Sequence, residues 1–454
     1  MKKVVKFGGS SLASAEQFKK VGNIIRKEES RRYVIPSAPG KRTPDDTKVT
    51  DMLYSCYGQA ILGEDAERDF EEQLEAIKER YNSIIRGLNL DLSLDEEFKT
   101  IRTNFSKKIG RDYAASRGEY LNGIIMAAYL GYEFIDAAEV IVFDENGDFD
   151  GDETHKILSE RLENTERAVI PGFYGAKPDG SIQTFSRGGS DITGSIVAKA
   201  VHAGGSDVSG AIVARAAYAD MYENWTDVSG FLIADPRIIK NPKPIDVITY
   251  RELRELSYMG ATVLHEDAIF PVRKEGIPIN IRNTNAPEDK GTLIVEDTCR
   301  KPRFTITGIA GKKDFASITI EKAMMNSEVG FCRKVLEVFE NNNISIEHMP
   351  SGIDTMTIFV HRDEFEEKEQ DVIAGIHRAV EPDFLELESD LALIAVVGRG
   401  MRATRGTSGR IFAALAHANV NVKMIDQGSS ELNIIIGVRS HDFDAAINAI
   451  YDIF

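Results

Sequence analysis

The first part of the chain alternates between short apolar runs and a longer segment with apolar residues at helical spacing. Short apolar runs, Val4-Val5 within residues 2–7 and Tyr33-Val34-Ile35 within residues 32–37, are each followed by a glycine-containing turn, and we predict a short strand at each range. Between them, residues 13–27 show the spacing of a helix with one buried face. That face would consist of Phe18, Val21, Ile24 and Ile25. A strand, a helix and a second strand in this order favour a parallel sheet with helices on its faces.

The pattern is interrupted and then resumes. Residues 64–110 are highly charged and helix-like, and we interpret them as a helical excursion from the sheet. Beyond them the spacing predicts a helix over 117–130 and strands near 132–135 and 167–171. The predicted fold class is therefore α/β, with an open, mostly parallel sheet sandwiched by helices.

The pattern changes character near residues 297–303. The order strand, helix, strand, strand, helix then occurs twice, and matching residues lie 76 positions apart: Gly330 and Gly406, Asn343 and Asn419, Ile358 and Ile434. A constant offset is the signature of an internal repeat. We predict a first region at 1–300, an α+β module at 304–390 and a second α+β module at 391–454.

Composition limits the classes of function. The chain has 454 residues, 42% hydrophobic and 28% charged, with a formal net charge of −17. Such an acidic surface argues against nucleic-acid and anionic-membrane partners. The cysteines, Cys56, Cys299 and Cys332, show neither disulfide nor metal spacing, and no apolar run approaches a membrane span. We expect a cytoplasmic protein.

Four motifs combine glycine with charge at predicted strand ends. They are KFGGSS at 6–11, SAPG at 37–40 with Thr50-Asp51 downstream, FSRGGSD at 185–191, and WTDVSG at 225–230 followed by ADPR at 234–237. Glycines let an anion approach the backbone, helix-start N–H groups add partial positive charge, and Lys6 adds a full one. An arginine before two glycines suits a bidentate grip on a carboxylate. Each motif alone is equally well explained by a turn, a solvated loop or a surface ion pair.

Together with GEY at 118–120, these motifs stand in the order of the aspartokinase family, which the whole chain resembles. The C-terminal part resembles the paired ACT domains of that family, through EHMPSGID at 347–354 and QGSSE at 427–431. The resemblance implies an amino-acid-kinase fold and ATP-dependent phosphorylation of the L-aspartate side chain to 4-phospho-L-aspartate. That reaction is the first step toward lysine, threonine and methionine.

The resemblance also implies a role for each matching residue. Lys6 and Asp191 would be catalytic, with Asp191 organising the phosphate and Mg²⁺ region and no protein group binding the metal directly. Thr50, Glu119 and Arg187 would bind aspartate, Glu119 through its ammonium and Arg187 through a carboxylate. ATP would contact Lys6, Gly8, Gly9, Ser10, Thr226, Asp227, Leu232, Arg237 and Val263.

The chemistry agrees with these roles. A side-chain carboxylate with a pKa of about 3.9 is ionised at pH 7, so the reaction needs no general base. What opposes it is repulsion between that carboxylate and the triphosphate. Positive charge and in-line positioning would therefore carry catalysis.

The sequence departs from the family pattern at one residue and in one duplication. Thr262 stands where many aspartokinases have a lysine, and Lys274 or Arg273 could compensate. Residues 188–203 and 204–219 are tandem copies, of which only the first follows an arginine, although the second has the family spacing to WTDV. We favour the first copy in the site, because a longer surface connection costs little free energy. If the second copy docked instead, the substrate would lose Arg187.

A regulatory amino acid, expected to be lysine, would bind at the first module. The resemblance points to Met324, Ser327, Phe331, Ile346 and Glu347. The alternative is that these residues only form strands and turns of a dimer interface, since a homodimer or dimer of dimers is expected. A catalytically impaired amino-acid sensor and a kinase for another amino acid remain as alternative functions. The GE pair and the paired modules argue against the latter.

Overall fold

The computed structural model describes residues 2–185, 189–203, 221–260, 272–273, 276–298 and 302–454. Two compact units share the chain. The N-terminal unit comprises Met1–Phe231, Asp246–Tyr250 and Val263–Asp297, and the C-terminal unit comprises Leu232–Ile245, Arg251–Thr262 and Thr298–Phe454. The C-terminal unit thus includes two segments that precede residue 300, and the domain bounds derived from the sequence remain a prediction.

Strands are present near the expected ranges 2–7, 32–37, 132–135 and 167–171, and helices near 13–27 and 117–130, whereas the middle strand expected in the first module is an isolated bridge at His348. The strands are β1 (Lys3–Phe7), β2 (Arg31–Pro36), β3 (Glu133–Phe134), β4 (Ala168–Val169), β5 (Tyr174–Ala176), β6 (Ile182–Thr184), β7 (Met221–Thr226), β8 (Val247–Thr249), β9 (Ile279–Asn283), β10 (Thr292–Val295), β11 (Gly308–Glu321), β12 (Thr355–His361), β13 (Phe384–Val397), β14 (Met424–Asp426) and β15 (Asn433–Arg439). The helices are α1 (Ala15–Arg26), α2 (Val49–Leu62), α3 (Glu67–Leu88), α4 (Asp95–Ser106), α5 (Arg111–Leu130), α6 (Ala137–Val140), α7 (Gly151–Glu163), α8 (Gly189–Ala203), α9 (Tyr250–Tyr258), α10 (Phe331–Asn341), α11 (Arg362–Phe365), α12 (Glu369–Val380), α13 (Thr407–His417) and α14 (Phe443–Asp452). None of these described helices combines the length and apolar composition needed to cross a bilayer.

The N-terminal unit is built on one sheet, which the described residues form in the order β3-β4-β2-β1-β7-β9-β10-β8. Every neighbouring pair is parallel except β9 and β10, which confirms the predicted α/β class. Strand β1 lies between β2 and β7. The chain adds β2, β3 and β4 on one side of β1 and then crosses to add β7 and the later strands on the other side. In such sheets ligands bind beyond the carboxyl ends of the strands at this point.

Alternation along β1 separates the core from the candidate site. Val5 and Phe7 are fully buried in a core cluster that also includes Phe18 of α1 and Ile77 of α3. Lys6 lies between them in sequence and therefore points to the opposite face, where α8 packs. The predicted helical excursion is confirmed as α3 and α4, whose apolar faces belong to the same cluster.

The C-terminal unit contains a five-stranded antiparallel sheet within the described residues, in the order β12-β11-β13-β15-β14. The repeat is visible in its backbone. Strands β11 and β13, and helices α10 and α13, begin and end 76 positions apart. Left-handed residues recur at the same offset: Asp314 and Asp390, Gly330 and Gly406, Asn343 and Asn419.

One matched pair in the repeat was wrong. Ile358 pairs with Ile318 across β11 and β12, whereas the corresponding residue Ile394 pairs with Ile436 across β13 and β15. The equivalent of Ile358 is therefore Ile436 and not Ile434. Since a two-residue insertion preserves the face on which strand side chains lie, the hydrophobic pattern alone could not reveal it.

Candidate active site

Three loops meet at the carboxyl ends of β2, β1 and β7. Backbone hydrogen bonds join them: Gly8 N–H donates to Trp225 O at 3.0 Å, Gly40 N–H to Gly9 O at 2.9 Å, and Ser37 N–H to Phe7 O at 3.1 Å. The loop after β1 is thereby fixed on both sides. The motifs KFGGSS, SAPG and WTDVSG, which are far apart in sequence, share one edge of the sheet.

The close approach of the first two loops depends on glycine. A Cβ atom at Gly40 would lie 2.7 Å from the carbonyl carbon of Gly9, and one at Gly9 would lie 2.9 Å from Ala38 O. Both distances are shorter than backbone contacts allow, so larger residues would push the loops apart. Ser10, at the tip of the first loop, is exposed, and Gly8 is half-buried. The loop therefore presents backbone to solvent, as an anion-binding loop requires.

Lys6 lies under this loop and pairs with Asp191. Its Nζ is 2.6 Å from Asp191 Oδ1, and the two side chains are 10% and 18% exposed. Asn224 Nδ2 donates to the same carboxylate oxygen at 2.8 Å. Asn224 stands directly beside Lys6 in the pairing of β1 with β7, which explains why both reach one acceptor. Sequence reasoning assigned no role to Asn224, which immediately precedes Trp225 of the WTDVSG motif.

Asp191 comes from the first copy of the tandem duplication. That copy forms α8, whose first turn contains Asp191, and the hydroxyl of Tyr222 donates to the Asp191 carbonyl at 3.3 Å. The second copy, 204–219, lies outside the described residues. The first copy, which we favoured from the sequence, thus contributes Asp191 to the surroundings of Lys6, and its role in the site remains a prediction.

Glu119 is buried on α5 at the same edge of the sheet. Its Oε1 accepts a hydrogen bond from Ala38 N–H at 3.0 Å, while its Oε2 is buried and has no hydrogen-bond partner among the described residues. Burial raises the pKa of Glu119 to about 7, although the Ala38 N–H bond and the Lys6 charge act in the opposite direction. A half-satisfied buried carboxylate is costly unless a ligand completes it.

Small and polar neighbours surround Glu119. A Cβ atom at Gly118 would lie 2.8 Å from Ala38 Cβ and 3.8 Å from Thr50 Oγ1, so Thr50 is close to the Gly118–Glu119 pair. Asn122, one turn along α5, donates to Ser37 O at 2.6 Å. Helix α5 is thus hydrogen-bonded to the loop after β2 at Glu119 and again at Asn122.

The remaining residues predicted to bind ATP have different positions. Thr226 and Asp227 follow β7 at the same edge, where Asp227 N–H donates to Thr226 Oγ1 at 2.6 Å. Leu232 and Arg237 belong to the C-terminal unit, in which exposed Arg237 forms a fork with Asp235 and holds the pKa of that carboxyl below its usual value. Outside the described residues lie Arg187, Thr262, Val263 and Lys274. Arg273 is described, and its Nε is 3.3 Å from Glu296.

The residues predicted to bind an effector lie in two segments of the first module, one leading into α10 and one following its end. Met324 and Ser327 are exposed, whereas Phe331 is buried in the core cluster of the module, against which Ile346 packs. The side chain of Glu347 is only 7% exposed and lies 3.5 Å from His361 Nε2. Burial, and then a hydrogen bond with Glu347, raise the pKa of Tyr258.

Family models match both parts of the chain. The amino acid kinase family matches residues 1–204 and 201–283, and the ACT domain matches residues 394–454. The two kinase segments meet at 201–204, which is the junction of the two tandem copies. Glycine loops at the carboxyl ends of a mostly parallel sheet therefore belong here to an amino acid kinase.

Individual relatives define the family more narrowly. Aspartokinase 3 of Bacillus subtilis is 39% identical over 475 aligned residues, covering 100% of this chain and 98% of that protein. The crystal structure of Clostridium acetobutylicum aspartate kinase is 50% identical and superimposes with a TM-score of 0.85, covering 100% of both chains. The chain belongs to the aspartokinase family and is an aspartate kinase.

More distant structures share the fold. Escherichia coli aspartokinase III in complex with aspartate and ADP is 21% identical, with a TM-score of 0.71 over 100% of this chain and 99% of that one. Its complex with lysine and aspartate is 22% identical, with a TM-score of 0.69 over 99% of each chain. At this identity the likeness concerns the fold.

Proposed function

We propose that this aspartate kinase transfers the γ-phosphoryl group of ATP to the side-chain carboxylate of L-aspartate, giving 4-phospho-L-aspartate on the route to lysine, threonine and methionine. The observation that carries the proposal is the 2.6 Å pair of Lys6 with Asp191 beneath a glycine loop that Gly40 and Trp225 hold in place. The pair supplies a buried cation beside the loop where the phosphates of ATP are proposed to bind.

In this mechanism charge is neutralised and no proton is transferred. A carboxylate oxygen of aspartate attacks the γ-phosphorus, and the bond from that phosphorus to the β–γ bridging oxygen breaks, so ADP leaves with the electron pair. Lys6 exchanges its contact with Asp191 for the phosphate oxygens, and the N–H groups at Gly9 and Ser10 add partial positive charge. Asn224 keeps Asp191 in place during the exchange.

Glu119 is proposed to bind the ammonium group of aspartate. Its unpartnered Oε2 would receive an N–H donor from the substrate, and a bound cation would keep the carboxylate ionised at neutral pH. Thr50 would bind beside it. Arg187, by family resemblance, would hold a carboxylate of aspartate and so orient the other for attack.

The nucleotide side follows the same reasoning. Thr226 and Asp227 would border the nucleotide from β7, with Leu232, Arg237 and Val263 completing its contacts by resemblance. Mg²⁺ prefers carboxylate and phosphate oxygens, and Asp191, a partly exposed carboxylate next to the phosphate-side lysine, fits that preference. The phosphates of ATP would hold the ion, Asp191 would organise the region around it, and the ion would supply further neutralisation of the phosphate charge. The ADP and aspartate in Escherichia coli aspartokinase III support this choice of ligands.

Regulation is proposed to occur in the C-terminal modules of a cytoplasmic homodimer or dimer of dimers. Lysine is the proposed effector, bound near Met324, Ser327, Phe331, Ile346 and Glu347, and the lysine complex of Escherichia coli aspartokinase III supports it. Inhibition then requires lysine to bind one of two arrangements of the enzyme more tightly.

A coupled ADP-release assay tests the proposal. We expect ADP release from ATP that depends on aspartate and Mg²⁺, is absent with glutamate, and falls when lysine is added. Threonine serves as the matched effector control. Release with glutamate and not with aspartate would identify a kinase for another amino acid. Lysine binding without ADP release would identify a catalytically impaired sensor.

A further inference from the structure

Helix α3 carries a buried arginine that core packing does not explain. The Arg80 side chain is only 3% exposed, and its neighbours Ile77, Tyr81 and Ile84 belong to the hydrophobic core. Burying a guanidinium costs several kcal/mol unless its hydrogen bonds are replaced. The hydrogen bonds of Arg80 therefore show which parts of the structure this buried residue holds in place.

Arg80 bonds to two different loops. Its Nη2 donates to Gly40 O at 2.7 Å and more weakly to Ala13 O at 3.4 Å, while its Nη1 donates to Asp46 Oδ2 at 2.6 Å. Gly40 and Asp46 lie in the loop between β2 and α2. Ala13 directly follows the short helix Gly9–Leu12 of the KFGGSS loop. One planar guanidinium thus links both loops to a rigid helix.

The Arg80 contacts reach the proposed catalytic groups within one residue or two. Gly40, whose carbonyl oxygen accepts a hydrogen bond from Arg80, donates its own N–H to Gly9 O. Ala38, two residues earlier, donates to Glu119. The same loop is closed by Asp46, whose pKa is held well below its usual range by bonds from Arg42 and then Arg80.

We propose that Arg80 is a positioning residue for phosphoryl transfer. It fixes the spacing between the loop at Gly9, where ATP is proposed to bind, and the loop at Ala38, which orients Glu119 and hence aspartate. The inference rests on the proposed function of these two loops. Arg80 does not contact either substrate; it sets the distance between the phosphate acceptor and donor. This role also accounts for the helical excursion, because α3 carries Arg80.

Arginine suits this role better than lysine. A planar fork presents several N–H groups in fixed directions, so one side chain serves acceptors from separate loops at once. A lysine ammonium at the same place would retain the charge and lose the simultaneous, directed contacts.

The test compares Arg80→Met and Arg80→Lys with Arg86→Met in the full-length enzyme. Arg86 lies on the same helix, is exposed and pairs only with nearby Glu79 among its described contacts, so it controls for the substitution itself. We expect Arg80→Met to lower kcat on the order of a hundredfold, because misplacement by about 1 Å has that effect. KM for each substrate should change less than about threefold, Arg80→Lys should be intermediate, and Arg86→Met should resemble the parent.

Hydrogen–deuterium exchange supplies a readout that does not depend on catalysis. Arg80→Met should accelerate exchange in peptides covering residues 8–13 and 37–48, and not in peptides from β11 to β15. Should Arg80→Met fail to fold, Asp46→Asn removes one anchor and should lower kcat in the same direction, less strongly. Unchanged kcat together with parental exchange in both loops would overturn the inference. Retained kcat in Lys6→Met would instead refute the proposed function of the loops, and the exchange result would still decide the role of Arg80.

Discussion

Two buried glutamates of the N-terminal unit differ in how completely they are hydrogen-bonded. Glu223, on β7, is fully buried and accepts bonds from Lys3 at 2.9 Å, Arg31 at 2.8 Å and Trp225 Nε1 at 2.9 Å. Glu119 is also buried, at 6% exposed, and its Oε1 accepts a hydrogen bond from Ala38 N–H, whereas its Oε2 has no hydrogen-bond partner among the described residues. Both oxygens of Glu223, on a strand of the sheet, are therefore hydrogen-bonded, whereas only one oxygen of Glu119, on helix α5, is.

Their pKa values diverge accordingly. Burial alone would raise the pKa of Glu223, but bonds and charges from Arg31 and Lys3 outweigh it and leave the pKa below its ordinary value. For Glu119 burial prevails, and the pKa rises to about 7. A buried carboxylate whose two oxygens both accept hydrogen bonds stabilises the fold. One with an oxygen that lacks a hydrogen bond can still bind a cation.

Position along the strands fits this division. Lys3 and Arg31 begin β1 and β2 and pair side by side, so the Glu223 network lies toward the amino ends of the strands. Lys6 and Glu119 lie toward the carboxyl ends, where ligands bind in open parallel sheets. Structural and functional charges are thus separated along β1 by the two residues between Lys3 and Lys6.

The largest expected effect separates the two lysines of β1. Lys6→Met should lower kcat roughly a thousandfold, because a preorganised charge is removed from the developing phosphate charge, and leave the thermal midpoint nearly unchanged. Lys3→Met should keep kcat in the folded enzyme and destabilise the fold by about 3 kcal/mol, because Glu223 loses a partner. Steady-state kinetics and thermal unfolding of both variants measure this. Equal effects of the two substitutions on kcat would abolish the distinction between the ends of the strand.

The two glutamates provide a smaller and opposed pair of effects. Glu119→Gln should lower kcat/KM for aspartate about a hundredfold, through loss of the charge that faces the substrate ammonium, with KM for ATP little changed. Glu223→Gln should lower the free energy of unfolding by about 3 kcal/mol, since Arg31 and Lys3 would lose the buried anion that they share and keep only the more exposed Glu28. Denaturant titration and separate KM measurements check both outcomes. A destabilised Glu119→Gln variant with normal kinetics would contradict the binding role.

The sequence predicted the parts of this arrangement that are local. The spacing of Phe18, Val21, Ile24 and Ile25 predicted the buried face of α1, and all four are buried. The glycines after β1 indicated an anion-binding loop, because this signal lies in neighbouring residues of the sequence and needs no contact with a distant segment. The first tandem copy was favoured on loop entropy, and its Asp191 pairs with Lys6.

Long-range register could not be predicted. Asn224 meets Asp191 only because β7 pairs with β1 such that Asn224 lies beside Lys6, and nothing in the intervening residues encodes that register. Arg80 appeared as one charge among many in a charged helix, and only packing shows that it points inward to Gly40. The saturation of Glu223 likewise depends on three donors from three separate segments.

The smallest expected effect is a pH dependence that distinguishes Glu119 from Glu223. Its folded-state pKa is raised, to about 7, above the ordinary value of 4.5, so the fold favours the protonated form. Stability that is present below pH 4.5 is therefore lost as pH rises toward 7, where the buried charge must form. Binding of the aspartate ammonium needs that charge, so kcat/KM for aspartate should rise roughly tenfold between pH 6 and pH 8. Activity and stability thus change in opposite directions over one titration.

Two variants test whether Glu119 is the group that titrates. In Glu119→Gln the pH dependences of kcat/KM and of stability should both flatten, while in Glu223→Gln the rise in kcat/KM should persist. A parental profile in Glu119→Gln would mean that another group titrates.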